Sequence, residues 1–175
     1  MPELFTIGHS THPLQEFLEI VHAYQVTHLI DVRTIPKSRT VPWFNKDEFK
    51  QTLAKEKIAY THLVKLGGLR KVNKNSINTG WRNASFRGFA DYMQTEEFLE
   101  GLNELNDIIE KGHKVVIMCA EAVPWRCHRS LIADAELIRD YGIWDIMSKT
   151  TTHPHQLTSF AVVDKEKNPA QIYYP

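Results

Sequence analysis

Cysteine is scarce in this chain, with only Cys119 and Cys127 among 175 residues. Two thiols make no disulfide framework, and a chain of this length has enough interior to fold without one. No apolar run approaches the roughly eighteen residues that a membrane-spanning helix needs. The sequence opens on Leu4-Phe-Thr-Ile7, a strand pattern, with no basic stretch leading into an apolar signal core. These absences set the expectation of a cytoplasmic protein, away from membranes, whose cysteines are free thiols. No repeat, low-complexity tract or linker divides the chain, so residues 1–175 read as a single domain.

Net charge is missing too, since 21 basic and 21 acidic residues cancel, but the cancellation is not local. From Arg33 to Phe89, thirteen Lys or Arg face only Asp47, Glu48 and Glu56. Between Lys71 and Arg87 there is no acid, and Trp81 and Phe86 punctuate a stretch rich in Asn and Ser. Residues 66–88 therefore read as a basic loop over a site, because long irregular segments inside compact domains are usually lids or binding loops. Basic groups interleaved with aromatics suit phosphates and stacked bases.

What is present is an alternation of strand and helix patterns. Leu4–Ile7, His28–Arg33, Ile58–Val64, Lys114–Met118 and Ile143–Met147 read as strands. Between them, Leu14, Phe17, Leu18 and Val21, then Phe49 and Leu53, then Phe98, Leu102, Leu105 and Ile109 recur at helical spacing, as do Leu131, Ala135 and Ile138. Phe160–Val163 and Gln171–Tyr174 read as a terminal hairpin covering a sheet edge. The expected class is α/β, with a mostly parallel central sheet, helices on both faces and a C-terminal β-hairpin.

In such a sheet the carboxyl ends of the strands share one edge. That edge would gather His9 and Ser10, then Asp31 and Arg33 with Ser38 beyond them, then Lys65, Gly67 and Gly68. The fourth exit is Cys119-Ala-Glu-Ala-Val-Pro-Trp-Arg-Cys-His-Arg129. Arg33, Arg126, Arg129 and loop N–H groups suit an anion. Cys127 sits near a helix N-terminus, where a thiol pKa falls; Glu121 and His128 are candidate acids or bases, and Cys119 is either packing or site. The spacing matches no paired zinc pattern, so neither a metal nor a cofactor is expected.

The loop's order of strand, cysteine, arginine and helix is similar to rhodanese and cysteine phosphatase sites, although Arg126 comes one residue later than in those families. Over nearly its whole length the chain resembles the family called domain of unknown function 488. The resemblance rests on Thr6-Ile-Gly-His-Ser10, Asp31-Val-Arg33 with Pro36 and Ser38, Leu66-Gly-Gly68, Phe89-Ala-Asp-Tyr-Met93, the Cys119–Arg129 motif, His153-Pro-His155 and Tyr174-Pro175. A histidine is common in such proteins where this chain has Asp145. The resemblance implies an α/β fold and no particular reaction.

Three functions are consistent with these residues. The first is an enzyme, a hydrolase or transferase, acting on a phosphate-bearing small molecule or nucleic acid. The second is a noncatalytic nucleic-acid-binding module, and the third is a thiol sulfur-transfer or redox protein. The oligomeric state is not legible in the sequence.

Overall fold

The structure, a computed structural model, describes residues 2–175. Five strands run parallel: β1 (Glu3–Gly8), β2 (His28–Asp31), β3 (Ala59–His62), β4 (Val115–Cys119) and β5 (Gly142–Ile146). They lie in the order β3-β2-β4-β1-β5, and β6 (Thr152–Pro154) adds antiparallel to β5. The class is the one the alternation predicts.

Helices α1 (Leu14–Ala23) and α2 (Lys46–Lys55) cover one face of the sheet. There Phe17, Leu18, Val21, Phe49 and Leu53 pack with Leu29, Val116 and Met118. Helices α3 (Ala84–Tyr92), α4 (Glu96–Glu110) and α5 (Arg129–Leu137) cover the other, against Ile30, Val115, Ile117 and Cys119. Alternate residues of β4 thus enter opposite cores, which is why that strand is apolar throughout and why Cys119 faces α5.

This winding fixes where a site can form. β1 and β2 both send their following helices to the first face, while β4 between them sends α5 to the second. Connections that leave adjacent strand ends in opposite directions open a crevice at the carboxyl edge. Here it falls at the end of β4, beside Cys119.

Two expectations need amending. The terminal hairpin, β7 (Val162–Asp164) with β8 (Gln171–Tyr173), forms as expected but is a separate two-stranded sheet. Its Ile172 and the following Tyr174 pack into the core on the α5 side, and β6, unforeseen, occupies the edge beside β5. The segment 66–88 is also not irregular throughout, because α3 begins at Ala84 with Asn83 capping the N–H groups of Ser85 and Phe86.

The remainder of that segment is tied to Asp91 on α3. Its carboxylate accepts from the Asn73 N–H (2.8 Å), the Ser76 hydroxyl (2.7 Å) and the Asn78 amide (2.8 Å). Asn78 is itself fully buried and accepts the Tyr174 N–H at 2.9 Å, joining the loop to the C-terminal segment. Replacing Asp91 with Ala leaves three donors without their acceptor. The expected loss is roughly 3 kcal/mol in urea unfolding, with new protease cleavage between residues 70 and 80. Wild-type stability and an uncut loop in this variant would show that Asp91 does not hold it.

Candidate thiol site

Cys119 is the last residue of β4, and the chain turns away there through a loop and a 3-10 turn, Pro124–Arg126, into α5. Arg129 opens that helix, but its side chain runs back beneath the loop and is completely buried. Nη1 donates to Cys119 Sγ at 2.8 Å and to the Glu121 carbonyl at 2.6 Å. Nη2 donates to the Ala122 carbonyl at 3.3 Å, and Nε makes a longer contact of 3.4 Å with Thr6 Oγ1. A guanidinium keeps its charge at any depth, so it must be paired and hydrogen-bonded where it lies.

Cys119 supplies the counter-charge. Burial pushes its thiol up, but the hydrogen bond from Cys127 and the charge and hydrogen bond of Arg129 outweigh that and bring its pKa down to about 7. Cys127 goes the opposite way: burial and the adjacent Cys119 hold its proton on, well above the ordinary thiol range. Around neutral pH the pair therefore titrates through Cys119, while Cys127 keeps its proton. This corrects the expectation that the helix N-terminus lowers Cys127. The Arg129 N–H does reach Cys127 Sγ at 3.4 Å, yet one backbone dipole is a weaker field than a guanidinium in contact with the other sulfur.

His128 is neutral and oriented. Its Nε2 lies 2.9 Å from the Val32 carbonyl and 3.1 Å from that of Leu66, two acceptors that assign the proton to Nε2. Nδ1 is then a free acceptor, 3.7 Å from Cys127 Sγ and against Gly68. Burial, only partly offset by those carbonyls, drops its pKa to about 4.

A cleft of about 390 Å³ opens above the sulfurs. Buried Cys119 and Cys127 are among its lining, with exposed Glu121 and Arg126 from the same loop. Arg33, Gly68 and His128 also reach it, so seven of the anticipated site residues converge there. Thr34, Ile35, Leu69, Ala120, Asn83, Ser85 and Phe86 complete the wall. Of these, the N-terminal turn of α3 had a signal in Asn83-Ala-Ser85, a capping pattern beside an aromatic. The apolar Ile35 and Leu69 had none.

The other anticipated residues are placed elsewhere. Asp31 is fully buried, binding Arg33 through Nε (2.9 Å) and Nη2 (2.7 Å) and accepting the Tyr60 hydroxyl at 2.6 Å. The Asp31–Arg33 pair is thus a satisfied ion pair, and Arg33 is not free for a phosphate. His9 stacks on Phe44, donates from Nδ1 to the Ser10 carbonyl at 2.8 Å and turns Nε2 toward Arg33 Nη1 at 3.3 Å. Ser10 lines a smaller cavity with Gly8 and His12, away from the sulfurs. Ser38 closes its own turn, accepting from the N–H groups of Thr40 and Val41. Lys65 pairs with Glu100 and Glu104 on α4, and Gly67 is packed against Thr34. Gly8 serves the fold rather than a ligand, since a Cβ there would lie 1.5 Å from the Glu121 carbonyl oxygen, the one Arg129 holds.

Fold and site together define a doubly wound α/β protein with a buried cysteine–guanidinium contact at its switch point. Residues 13–136 match the family described as Domain of unknown function DUF488, and the chain belongs to that family. No curated protein and no solved structure matches it. No helix among the described residues is long and apolar enough to cross a membrane.

The buried histidines bear on acid stability. His9 and His128 both have folded-state pKa values of about 4, lowered first by burial. Above about pH 7.5 they are neutral folded or unfolded and contribute no slope. As pH falls from there towards 4, the unfolded chain takes up protons that these two folded imidazoles refuse, so their contribution to stability declines, by on the order of 2–4 kcal/mol in total, while Glu136, whose pKa burial raises to about 8, contributes in the opposite direction over the same range. Urea midpoints at pH 7 and 4.5, compared between wild type and the double variant His9→Gln/His128→Gln, isolate the histidine part, and the variant should lose less stability on acidification. An unchanged slope in that variant would assign the acid sensitivity to other groups.

Proposed function

We propose that this chain is a thiol-dependent enzyme, a transferase in which Cys119 is the nucleophile, acting on a small substrate that carries an anionic group. The observation that carries the reading is the Cys119 sulfur itself: charged near neutral pH, in contact with Arg129, and part of the wall of an open cleft. A buried thiol kept only for packing would be neutral.

Attack by the thiolate on an electrophilic atom forms the Cys119–substrate bond and expels a leaving group. In this scheme Cys127 gives its proton to that leaving group. Negative charge then passes from one sulfur to the other within the field of Arg129, whose N–H already contacts Cys127 Sγ at 3.4 Å. Because the two thiols are in contact, a substrate presenting a sulfur–sulfur bond can also be resolved by Cys127. That closes a Cys119–Cys127 disulfide and releases the second substrate thiolate, leaving the protein oxidised and the substrate reduced, which supports thiol–disulfide exchange as the particular chemistry.

Arg126 is exposed at the mouth and, among the described residues, belongs to no ion pair, which suits it to the substrate's anionic group. The basic bias of residues 33–89 makes a phosphate-bearing molecule the first candidate. The phosphate is best assigned to Arg126 rather than to the sulfur, because the Glu121 and Ala122 carbonyls turn inward towards Arg129 and present acceptors there. Trp81 supports the nucleic-acid-binding module less, since it is packed against Phe86, Phe160 and Tyr174.

Two alkylating agents test the reading. Limiting iodoacetamide at pH 7.5 should label Cys119 and spare Cys127 in peptide maps. Arg126→Ala should lower the rate of charged iodoacetate relative to neutral iodoacetamide by about threefold. Labelling at Cys127 first would reverse the roles of the sulfurs. An unchanged ratio would remove Arg126 from anion binding.

A further inference from the structure

Two buried carboxylates and a buried histidine lie behind the site and take no part in the chemistry above. Asp145 is on β5, Asp134 is on α5 beyond Arg129, and His155 follows β6. The imidazole of His155 is held between the acids, with Nδ1 3.1 Å from Asp145 Oδ2 and Nε2 2.8 Å from Asp134 Oδ1. Both ring nitrogens face carboxylates, so both carry protons and the ring is a cation. Asp134 also accepts from the Thr158 hydroxyl at 2.7 Å and the Tyr174 hydroxyl at 2.8 Å.

The other oxygen of Asp145 leads back to the thiolate. Thr6 is paired with Asp145 in the β1–β5 register, and its hydroxyl donates to Asp145 Oδ1 at 2.5 Å. A hydroxyl has one proton, so with that proton committed its lone pair is what faces Arg129 Nε, 3.4 Å away. One line of polar groups therefore runs through the interior in the order Cys119, Arg129, Thr6, Asp145, His155, Asp134, Tyr174.

We infer that Asp145 and His155 are positioning residues for the Cys119 thiolate, acting through Thr6 to hold the Arg129 guanidinium against the sulfur. The inference rests on the thiolate reading of Cys119. A guanidinium is planar and rigid, so an acceptor at Nε sets the direction in which Nη1 points. Thr6 is that acceptor, and Asp145 orients Thr6. His155 also neutralises Asp145, which would otherwise compete with the thiolate for the same guanidinium. Burial lowers the His155 pKa, but Asp134 and Asp145 together raise it to about 9, so the cation persists through the neutral range. Three of these residues are polar breaks inside otherwise apolar surroundings: Thr6 in Leu4-Phe-Thr-Ile7, Asp145 in Ile143-Trp-Asp-Ile146, and the fully buried Asp134 on α5.

The test is the pH dependence of Cys119 alkylation by iodoacetamide in the intact protein, followed by peptide mapping. Wild type should give a midpoint near 7. Thr6→Val, which keeps the side chain's shape, and His155→Gln should each raise that midpoint by about 0.5 to 1 pH unit. Thr6→Ser, which restores the hydroxyl, should keep the wild-type value. Tyr174→Phe should weaken the fold without moving the midpoint, since it touches only the far oxygen of Asp134. If wild type titrates near 7 and Thr6→Val does the same, the network is structural only and this inference is overturned while the thiolate reading stands. A wild-type midpoint near 9 overturns the thiolate reading first, and this inference with it. Should His155→Gln fail to fold, the Thr6→Val and Thr6→Ser pair decides.

Discussion

Arg129 carries a permanent positive charge into the interior between β4, its loop and β1, and much of the local structure follows from satisfying it. Removing a guanidinium from water is costly unless each face of it finds an acceptor or an anion. The loop after β4 answers with two inward carbonyls, β1 with a hydroxyl, and β4 with a sulfur whose pKa the guanidinium lowers. Gly8 is required because the loop, drawn down onto Arg129, passes too close for any side chain there. The low pKa of Cys119 is thus a consequence of how the fold is closed.

The winding of the sheet decides that this happens at the crevice and nowhere else. β4 lies between two strands whose helices go to the opposite face, so its exit is the one with room around it. Residues from the β2 exit, the glycine turn and the start of α3 then wall the opening. Two thiols of unequal acidity, a neutral histidine whose tautomer is fixed by two carbonyls, and one uncommitted arginine at the mouth are the features on which the proposed thiolate chemistry rests.

The sheet and helices were legible because period-two and helical spacings are local signals, and the convergence of strand exits follows from the parallel order. Short β6 was not, since three residues in a polar stretch carry no periodicity. The cysteine loop is legible as a motif, but the expected lowering of the Cys127 pKa is not what the fold gives. Proximity to a helix N-terminus can be read from sequence, whereas the return of the Arg129 side chain to Cys119 is a tertiary contact. Arg33 and Lys65 show the same limit: residue type and strand-end position suggest anion binding, and the structure pairs Arg33 with Asp31 and Lys65 with Glu100 and Glu104. Thr6 and Asp145 did leave a trace, as polar residues in the middle of apolar strands, where a buried hydroxyl or carboxylate needs a specific partner.

A single ionisation, that of Cys119, underlies all of this chemistry. Absorbance at 240 nm, followed as the reduced protein is titrated, counts thiolates directly. One thiolate per chain should appear with a midpoint close to 7, the second sulfur remaining protonated until well above 9. Two thiols titrating together at 9 or higher would mean that Arg129 does not hold an ionised Cys119, and the site would be packing.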